Sequence, residues 1–549
     1  MYRNCLFLLC LTTAPALAQW SSNPAVNFAL DDGPNDQVQA KVAPTSDGGC
    51  YVSWYDNSLG GYDVTIQRLD AAGNELWPHG GIQLVDRSVS STTDYALVTC
   101  ANGDALITYL DNRSGSNQIA VQRVSPAGAL LFGPDGVIVS SGTGVSGNSR
   151  IAELSDGSIA VGWTQTPGWF IRTLTAAGAM LAGPLTNTDT GHTIFLCDLQ
   201  PGAGGSVIAL WSRSFGTNYS TTAKWLLAQN YDASLAPLWT PAPTLQGVAV
   251  YAPQPNTPWP TGSGTYGTQG GSIQSGYFPY FLSDGAGGGV FGYYENGGPR
   301  NAYVQHVLAD GSLKFPHPGV AANITGTNRI RVGNPGFDYD RTTGLYYIAS
   351  VESDASPQTN YSTFVQLIDT VGARVWGESG LTVVPVTGFQ QSSIQCLSRP
   401  DGGASVFGFD GRNGASSIHE GFAVGVSAEG ESQWSTFFST TIEAKSRLAA
   451  ANSTSGFHIL AFQSGATGNA NAYAQNVNFD GTLGNQSFPC DPDLNQDGNV
   501  DQDDVSYVIN VVGGGDNPTG IDPDFNRDGN VDQDDVSALI NTVGGGGCP

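Results

Sequence analysis

Hydrophobic and polar residues alternate with a period of two in short runs along most of the chain, and turns that contain Gly separate these runs. Such alternation indicates β-strands, and long stretches of helical periodicity are absent between residues 36 and 484. The runs form a repeating unit of roughly 50–60 residues. Each unit contains a strand, a first Gly turn, a strand that ends in an aromatic residue, a polar turn, a third strand, a second Gly turn and a fourth strand.

The Gly turns recur at fixed places in the unit and predict β-hairpins, because Gly and Asn adopt the positive φ that tight turns need. The first turn occurs at Asp47-Gly48-Gly49, Asn102-Gly103, Asp156-Gly157, Asp284-Gly285 and Asp401-Gly402. The second occurs at Gly73, Gly128, Gly178, Gly311, Gly372, Gly430 and Gly481, and Leu235 to Trp239 stand in for it in one irregular unit. Aromatic residues follow the second turn at Trp77, Phe132, Trp239, Phe315, Trp376 and Trp434, and we expect them in the core between units.

Eight units begin near residues 36, 93, 148, 193, 276, 330, 392 and 446. Four strands in a unit of this length are typical of a β-propeller blade, so we predict an all-β, eight-bladed propeller. Seven blades, an open β-solenoid and two β-sandwiches are the alternatives. The last unit ends at Gly484 without a fourth strand, whereas Val26 to Leu30, ahead of the first unit, has the spacing of one. The N-terminal strand is therefore expected to complete the final blade. The units resemble propeller-type repeats of exported bacterial proteins, which implies no particular activity.

Charge excludes one class of function. The 549 residues carry 21 basic and 47 acidic side chains, a net charge of −26. Nucleic-acid binding needs a basic face and is excluded, and docking on anionic lipid is disfavoured for the same reason.

The N-terminus predicts export. Arg3 precedes the apolar run Cys5 to Leu11, and Ala16-Leu17-Ala18 provides a cleavage site, so residues 1–18 are predicted to be a signal peptide. No later run reaches the ~18 apolar residues of a membrane span. We expect a secreted, extracellular protein, with association at the cell surface left open. Export permits disulfides, and the pairing of Cys50, Cys100, Cys197 and Cys396 is left open.

The acidic residues concentrate at the C-terminus. Residues 490–549 hold 13 Asp, no Glu and one Arg. This change in composition near Phe488-Pro489 indicates a domain boundary, so we divide the chain into residues 1–18, a propeller at 19–487 and a small domain at 488–549.

The C-terminal domain contains a duplicated motif whose second copy follows the first after 31 residues (Asp491 to Asp522). Each copy places oxygen-bearing side chains at positions 1, 3, 5, 7, 9 and 12 of a loop, with Gly498 or Gly529 at position 6. Calcium prefers six to eight oxygen ligands, and Gly at position 6 permits the sharp bend of a calcium loop of the EF-hand type. We therefore predict two calcium ions. Their ligands are Asp493, Asn495, Asp497, Asn499, Asp501 and Asp504, and Asp524, Asn526, Asp528, Asn530, Asp532 and Asp535.

A short apolar run with helical spacing follows each loop and ends at Gly513 or Gly544. The runs comprise Val505, Val508, Ile509 and Val512, and Val536, Leu539, Ile540 and Val543. Two such units facing each other would bury the apolar faces that neither buries alone. Cys490 and Cys548 flank the domain, and we predict a disulfide between them because paired antiparallel units bring their ends together.

This duplicated loop-and-helix domain resembles a type I dockerin. The resemblance covers about 60 of the 549 residues and implies that the twelve residues above are calcium ligands. Dockerins attach secreted carbohydrate-active enzymes to cohesins, so the resemblance implies a cohesin-like or other surface receptor as a partner. Where the family commonly has Ser/Thr pairs for this contact, the chain has Gln502-Asp503 and Gln533-Asp534. Because both copies carry the same pair, a partner could recognise either copy.

Candidate ligand-binding residues of the propeller lie in the turns between second and third strands, which share one face of the ring with the connections between blades. They are Asp111, Arg113, Arg300 and Arg412, to which we add Trp259 in the long irregular segment 251–275, since an indole can stack on a sugar. Asp and Asn are also simply good turn formers.

Two functions follow from these observations. The first is a non-catalytic secreted protein whose propeller binds a carbohydrate or protein ligand and whose tail docks it into an extracellular assembly. The second is a carbohydrate-active enzyme of polysaccharide catabolism, either a glycoside hydrolase or a polysaccharide lyase. Catalytic residues cannot be assigned from the sequence. A surface-layer or adhesion protein is a third, weaker interpretation.

Overall fold

The computed structural model describes residues 20–141, 144, 146–240, 246–251, 272–274, 276–295, 300–323, 329–354, 357–411, 420–485, 492–519, 523–525 and 531–544. The predicted signal peptide and the predicted disulfide partners Cys490 and Cys548 lie outside these residues.

The main domain is an eight-bladed β-propeller in which every blade is a four-stranded antiparallel sheet. Neighbouring blades contact one another around the axis, and the contact between the first strands of blades 8 and 1 closes the ring. The prediction of eight blades is confirmed, and the predicted unit starts fall within a few residues of the observed first strands.

The strands are as follows in chain order. The first is β1 (Phe28–Asp31). Blade 1 contains β2 (Gln37–Pro44), β3 (Cys50–Asp56), β4 (Asp63–Leu69) and β5 (Ile82–Gln83). Blade 2 contains β6 (Leu97–Thr99), β7 (Ala105–Asp111), β8 (Gln118–Val124) and β9 (Val137–Ile138). Blade 3 contains β10 (Ser146–Glu153), β11 (Ile159–Gln165), β12 (Gly168–Leu174) and β13 (Met180–Asn187). Blade 4 contains β14 (Ile194–Pro201), β15 (Val207–Ser214), β16 (Lys224–Tyr231) and β17 (Val248–Tyr251), with one 3-10 turn at Ala203–Gly205.

The second half of the ring follows the same order. Blade 5 contains β18 (Phe281–Ser283), β19 (Gly289–Tyr294), β20 (Ala302–Val307) and β21 (Val320–Ala321). Blade 6 contains β22 (Arg329–Asp340), β23 (Leu345–Asp354), β24 (Tyr361–Ile368) and β25 (Leu381–Thr387). Blade 7 contains β26 (Gln391–Ser398), β27 (Ala404–Asp410), β28 (Glu420–Val426) and β29 (Ser432–Ser439). Blade 8 contains β30 (Lys445–Asn452), β31 (Phe457–Ala466), β32 (Asn469–Asn478) and β1.

The N-terminal strand closes the ring, as predicted. Strand β1 pairs antiparallel with β32, with Phe28 opposite Ala474. Just before β1, the buried indole of Trp20 donates a hydrogen bond from Nε1 to the carbonyl of Ala71 in blade 1 (2.9 Å). Trp77 of blade 1 makes the equivalent bond to Pro126 of blade 2 (3.2 Å). The N-terminal segment therefore supplies both the missing strand and the missing contact between blades.

The second Gly turn packs against the aromatic ring of the preceding blade. Gly311 has φ +84°, and a Cβ there would lie 2.8 Å from Cβ and Cγ of Trp239. This position therefore requires Gly both for its left-handed backbone and for the close approach of the ring. In blade 4 the left-handed residue of this turn is Leu235, with φ +66°.

Cysteines in the propeller are unpaired. Cys50, Cys100, Cys197 and Cys396 are buried free thiols, and the described residues contain no disulfide. Burial raises the pKa of all four thiols.

The C-terminal segment forms two helices, α1 (Gln502–Val512) and α2 (Gln533–Val543), which end at the predicted residues Gly513 and Gly544. Their shared core consists of Leu494, Val505, Val508, Phe525, Val536 and Leu539. Ile509 and Ile540, which belong to the same apolar pattern, are instead 53% and 52% exposed. Among the described helices, none has the length and apolar character that a membrane crossing requires.

Candidate functional site

The innermost strands carry matching irregularities near one end of the axis. In blades 1, 3, 7 and 8, two residues of the first strand face a single residue of the second, and the first of each pair has positive φ. These residues are Gln39 (φ +59°), Asn148 (+49°), Ser393 (+54°) and Arg447 (+59°), and Gly333 (+84°) has the same place in blade 6. Bulges of this kind redirect side chains and are frequent beside functional sites. The four side chains line a common cavity.

This cavity, which we call the axial mouth, has a volume of about 770 Å³. It opens where the first strands begin, on the face that also holds the turns between second and third strands. Its polar lining includes Gln39, Lys41, Thr92, Asp94, Asn148, Asn334, Ser393, Gln395 and Arg447. Volumes of ~300–1,000 Å³ are typical of small-molecule sites, so the mouth can hold a ligand.

Three charged residues form a network at the side of the mouth made by blades 1–3. Lys41 Nζ lies 2.6 Å from Asp94 Oδ1, and Arg150 Nη2 lies 2.6 Å from Asp94 Oδ2. Burial opposes ionisation of Asp94, but the two cations hold the pKa of this carboxyl well below its usual range. Asp94 is therefore a carboxylate whose two oxygens are already engaged.

Arg150 is a buried structural cation. Its Nε donates to the carbonyl of Cys197 (2.7 Å) and its Nη1 to that of Ser149 (2.9 Å). It also lies 3.7 Å from Asp198, whose carboxylate accepts from the Phe281 amide (3.1 Å). These contacts connect blades 2 to 5 beneath the mouth.

Aromatic side chains form the opposite side of the mouth, in the segment that leads into blade 5. Tyr280 stacks one ring face on Phe337 (centroids 4.7 Å apart, planes 16° apart), and its side chain is 37% exposed. Its hydroxyl donates to the carbonyl of Phe337 (3.1 Å), which fixes the ring. Phe278 lies beside it and is half-buried. The ring of Tyr280 is thus held with apolar surface available to the cavity.

A second cavity of about 630 Å³ continues along the axis below the mouth. The two share Lys41, Asp94, Phe278, Tyr280 and Gln395. The two cavities therefore adjoin each other along the propeller axis.

The mouth offers no free proton-transfer group within the part of the chain that the structure describes. Both oxygens of Asp94 are engaged with cations. The hydroxyl groups of Tyr277 and Tyr280 meet backbone carbonyls, and burial raises the pKa of both.

The residues predicted from the turns do not line the axial cavities. Asp111 is fully buried at the end of β7, where its carboxylate holds Arg113 (Nη2, 2.6 Å) and Arg87 (Nε, 3.2 Å). Arg300 has φ +46°, and its carbonyl accepts a hydrogen bond from the Arg331 amide (2.9 Å). These residues shape turns on the predicted face. Arg412 and Trp259 lie outside the described residues.

Sequence reasoning missed the residues of the mouth because they lie in strands rather than in turns. A signal for them exists. Gln39-Ala40-Lys41, Asn148-Ser149-Arg150 and Ser393-Ile394-Gln395 place two polar residues, separated by one, at the same point of the repeat. Aligning the units on their first strands would have exposed this pattern.

The first predicted calcium loop has the bend that its sequence predicts. Gly498 at position 6 has φ +91°, and its amide donates to Asp493 Oδ2 (2.9 Å). Asp504 is fully buried and accepts from the amides of Asn495 (3.1 Å) and Asp501 (2.9 Å). The carboxylates of Asp493 and Asp504, at positions 1 and 12, thus stabilise the loop by accepting hydrogen bonds from its own backbone amides.

The second loop repeats part of this geometry. Asp535 is fully buried and accepts from the Asp532 amide (2.8 Å). Asp532 is the N-cap residue of α2, as Asp501 is of α1. Asp524 is also described, whereas Asn526, Asp528 and Asn530 are not. Within the described residues no group of three His, Cys, Asp or Glu side chains is arranged to hold a metal ion. The donors of the first loop are all oxygens, which fits calcium chemically, and the two ions remain a prediction.

No family model matches the chain. No curated protein matches it either. Solved structures with a similar fold include a polysaccharide lyase described as a PL25 ulvan lyase (TM-score 0.44, 11% identity, 75% of this chain and 97% of that one). Others are a puromycin hydrolase (0.40, 11%, 83% and 62%) and an α-L-arabinanase of Penicillium chrysogenum in complex with arabinobiose (0.32, 12%, 61% and 94%). These are similarities to other proteins and identify no ligand of this chain.

Proposed function

We propose that this is an extracellular carbohydrate-binding protein. In this proposal the axial mouth of the propeller holds the saccharide, and the C-terminal domain is a calcium-dependent docking module that attaches the protein to a partner.

The single observation that carries the first part is the composition of the mouth. One side presents the fixed ring of Tyr280, and the remaining lining includes the amides and hydroxyls of Gln39, Asn148, Ser393 and Gln395. Sugars have an apolar C–H face and a rim of hydroxyls that both donate and accept hydrogen bonds. An aromatic surface opposite neutral donors and acceptors complements both features.

Binding is favoured over catalysis because Asp94 forms ion pairs with two cations and the hydroxyls of Tyr277 and Tyr280 donate to backbone carbonyls. A glycoside hydrolase commonly needs two carboxyl groups, one of them able to give up a proton at the scissile bond. Asp94 is held ionised by Lys41 and Arg150. A polysaccharide lyase or hydrolase stays the alternative, and release of shortened products from a bound polysaccharide would favour it.

For the tail, the proposal rests on the duplicated oxygen pattern, the bend at Gly498 and the buried closing residues Asp504 and Asp535. Asp493, Asn495, Asp497, Asn499, Asp501 and Asp504 would hold one ion, and the equivalent residues from Asp524 to Asp535 the other. The exposed residues Ile509 and Ile540 occupy equivalent places on α1 and α2, so a partner has an apolar contact available on either helix.

Saccharide binding is tested by screening the full-length protein on a glycan array and measuring affinities by calorimetry for wild type, Tyr280→Ala and Tyr280→Phe. Removing the ring should weaken binding about twofold to tenfold, since aromatic contacts are worth ~0.5–1.5 kcal/mol. Tyr280→Phe retains the ring face and should bind nearly as wild type does. Absence of binding across the array, or equal binding by Tyr280→Ala, would overturn the proposal.

Calcium binding is tested by titrating the chelator-treated full-length protein with calcium in a calorimeter. Wild type should take up two ions. Asp504→Asn should take up one, because it neutralises the buried closing ligand of the first loop. The control Asp503→Asn alters the exposed neighbour and should still take up two. No uptake by wild type at millimolar calcium would contradict the prediction.

A further inference from the structure

We infer that the saccharide bound at the axial mouth is anionic and that Arg447 recognises its carboxylate or sulfate group. This inference rests on the proposed function and specifies the substrate class of the same site.

The first argument is charge. Lys41, Arg447 and Asp94 are the charged residues that line the mouth among those described. Asp94 is paired with Lys41 and with Arg150, and Arg150 also lies against Asp198, so it is Arg447 that gives the mouth a net positive charge. A cationic site is unexpected on a chain with a net charge of −26, where acidic residues outnumber basic ones by more than two to one.

The second argument is the state of Arg447. Its side chain is exposed and makes no hydrogen bond or ion pair with the described residues. Lys41 and Arg150, by contrast, are engaged with Asp94. A guanidinium offers planar, paired donors that match the two oxygens of a carboxylate or sulfate.

The third argument is backbone strain. Arg447 has φ +59°, a left-handed conformation that is unfavourable for a residue with a Cβ but not for Gly. In blade 6 the first residue of a larger bulge, in which three residues face Ser350, is Gly333 with φ +84°. A strained residue where Gly would fit points to a use for its side chain.

The fourth argument is placement. Arg447 lies in blade 8, whose first strand contacts that of blade 1, and blade 1 carries Lys41. The aromatic side of the mouth belongs to blade 5, which lies across an eight-bladed ring from blade 1. A sugar stacked on Tyr280 would therefore direct an acidic substituent at its far end towards Arg447 and Lys41.

The test uses two matched pairs of saccharides and the full-length protein. Trigalacturonate is compared with its uncharged methyl ester, and a dextran sulfate oligosaccharide with the same dextran unsulfated. These pairs separate a carboxylate ligand from a sulfate ligand. Wild type should bind the charged member of one pair at least about tenfold more tightly, as charged hydrogen bonds are stronger than neutral ones.

Arg447→Gln should abolish this preference, because it should lower the affinity for the charged member far more than the affinity for the neutral member. The control Arg341→Gln removes the same charge from an exposed turn on the opposite face and should retain the preference. Equal binding of charged and neutral members by wild type, with Tyr280 still required, would overturn this inference and leave carbohydrate binding standing. A preference that survives in Arg447→Gln would also overturn it, and a protein that binds none of the four saccharides would count against both proposals.

Discussion

Left-handed residues define both the turns of the blades and the axial mouth. The Gly residues of the turns were predictable, because Gly between two short apolar runs is a direct signal of positive φ. Gln39, Ser393 and Arg447 have the same backbone conformation but no such signal, since positive φ in these residue types is an exception that only its surroundings explain. Asn148 carries only the general tendency of Asn to adopt positive φ. Leu235 is a similar case in the turn of blade 4.

Asp63, at the start of β4, predicts how stability depends on pH. Burial and the neighbouring Asp86 raise the pKa of this carboxyl to about 6. The hydrogen bond from the Arg87 amide lowers the pKa but does not offset these two effects. The folded state therefore holds the proton more tightly than the unfolded state, whose Asp has a pKa of ~3.9. The stabilisation is complete below about pH 4 and is lost as the pH rises through about 6.

Asp63→Asn should accordingly raise the free energy of unfolding at pH 7 by on the order of 1–2 kcal/mol, and the gain should vanish near pH 4. Denaturant melts of both proteins from pH 4 to pH 8 measure this difference. A gain of the same size at every pH would contradict the assignment to Asp63.

At the scale of the element, the blade was the most predictable level of structure. Alternation, turn residues and the repeated aromatic position together specify four strands and their order. The short outer strands, such as β5 and β9 with two residues each, are poorly marked because few of their residues are buried. The bulges of the first strands were not predictable from one unit, since a single extra residue leaves the local alternation almost unchanged.

Two substitutions can separate the energetic cost of crowding between a Gly turn and the preceding blade from the energetic cost of backbone strain. Gly157 has φ +80° with nothing within 4 Å of an added Cβ, whereas Gly311 has φ +84° and the Trp239 ring at 2.8 Å. Gly157→Ala should cost about 1 kcal/mol of unfolding free energy from conformation alone. Gly311→Ala should cost a further ~1–3 kcal/mol from overpacking, measurable by denaturant melts. Equal costs would show that the ring moves aside freely.

At the scale of the whole molecule, the ring and its closure were predictable from counting strands, because the incomplete last unit and the unassigned first strand matched. The candidate site was not predicted, since its residues come from distant parts of the chain and meet only where the blades converge on one axis. The calcium loops show the reverse. Their ligands are local in sequence and so could be identified from spacing alone, whereas the partner of the tail has no local signal.

The closing strand also governs when the molecule can be completed. Phe28 pairs with Ala474, so the strand that is synthesised first cannot pair until the strand that is synthesised last has been made. Until then the growing arc exposes the unpaired edge of its outermost strand, which is a template for association with other chains. Bringing the two ends together also carries the entropy cost of a loop that spans nearly the whole domain. Folding of the propeller should therefore be completed by one late step, the pairing of β1 with β32. Chains truncated at either end should leave the ring open and should tend to aggregate.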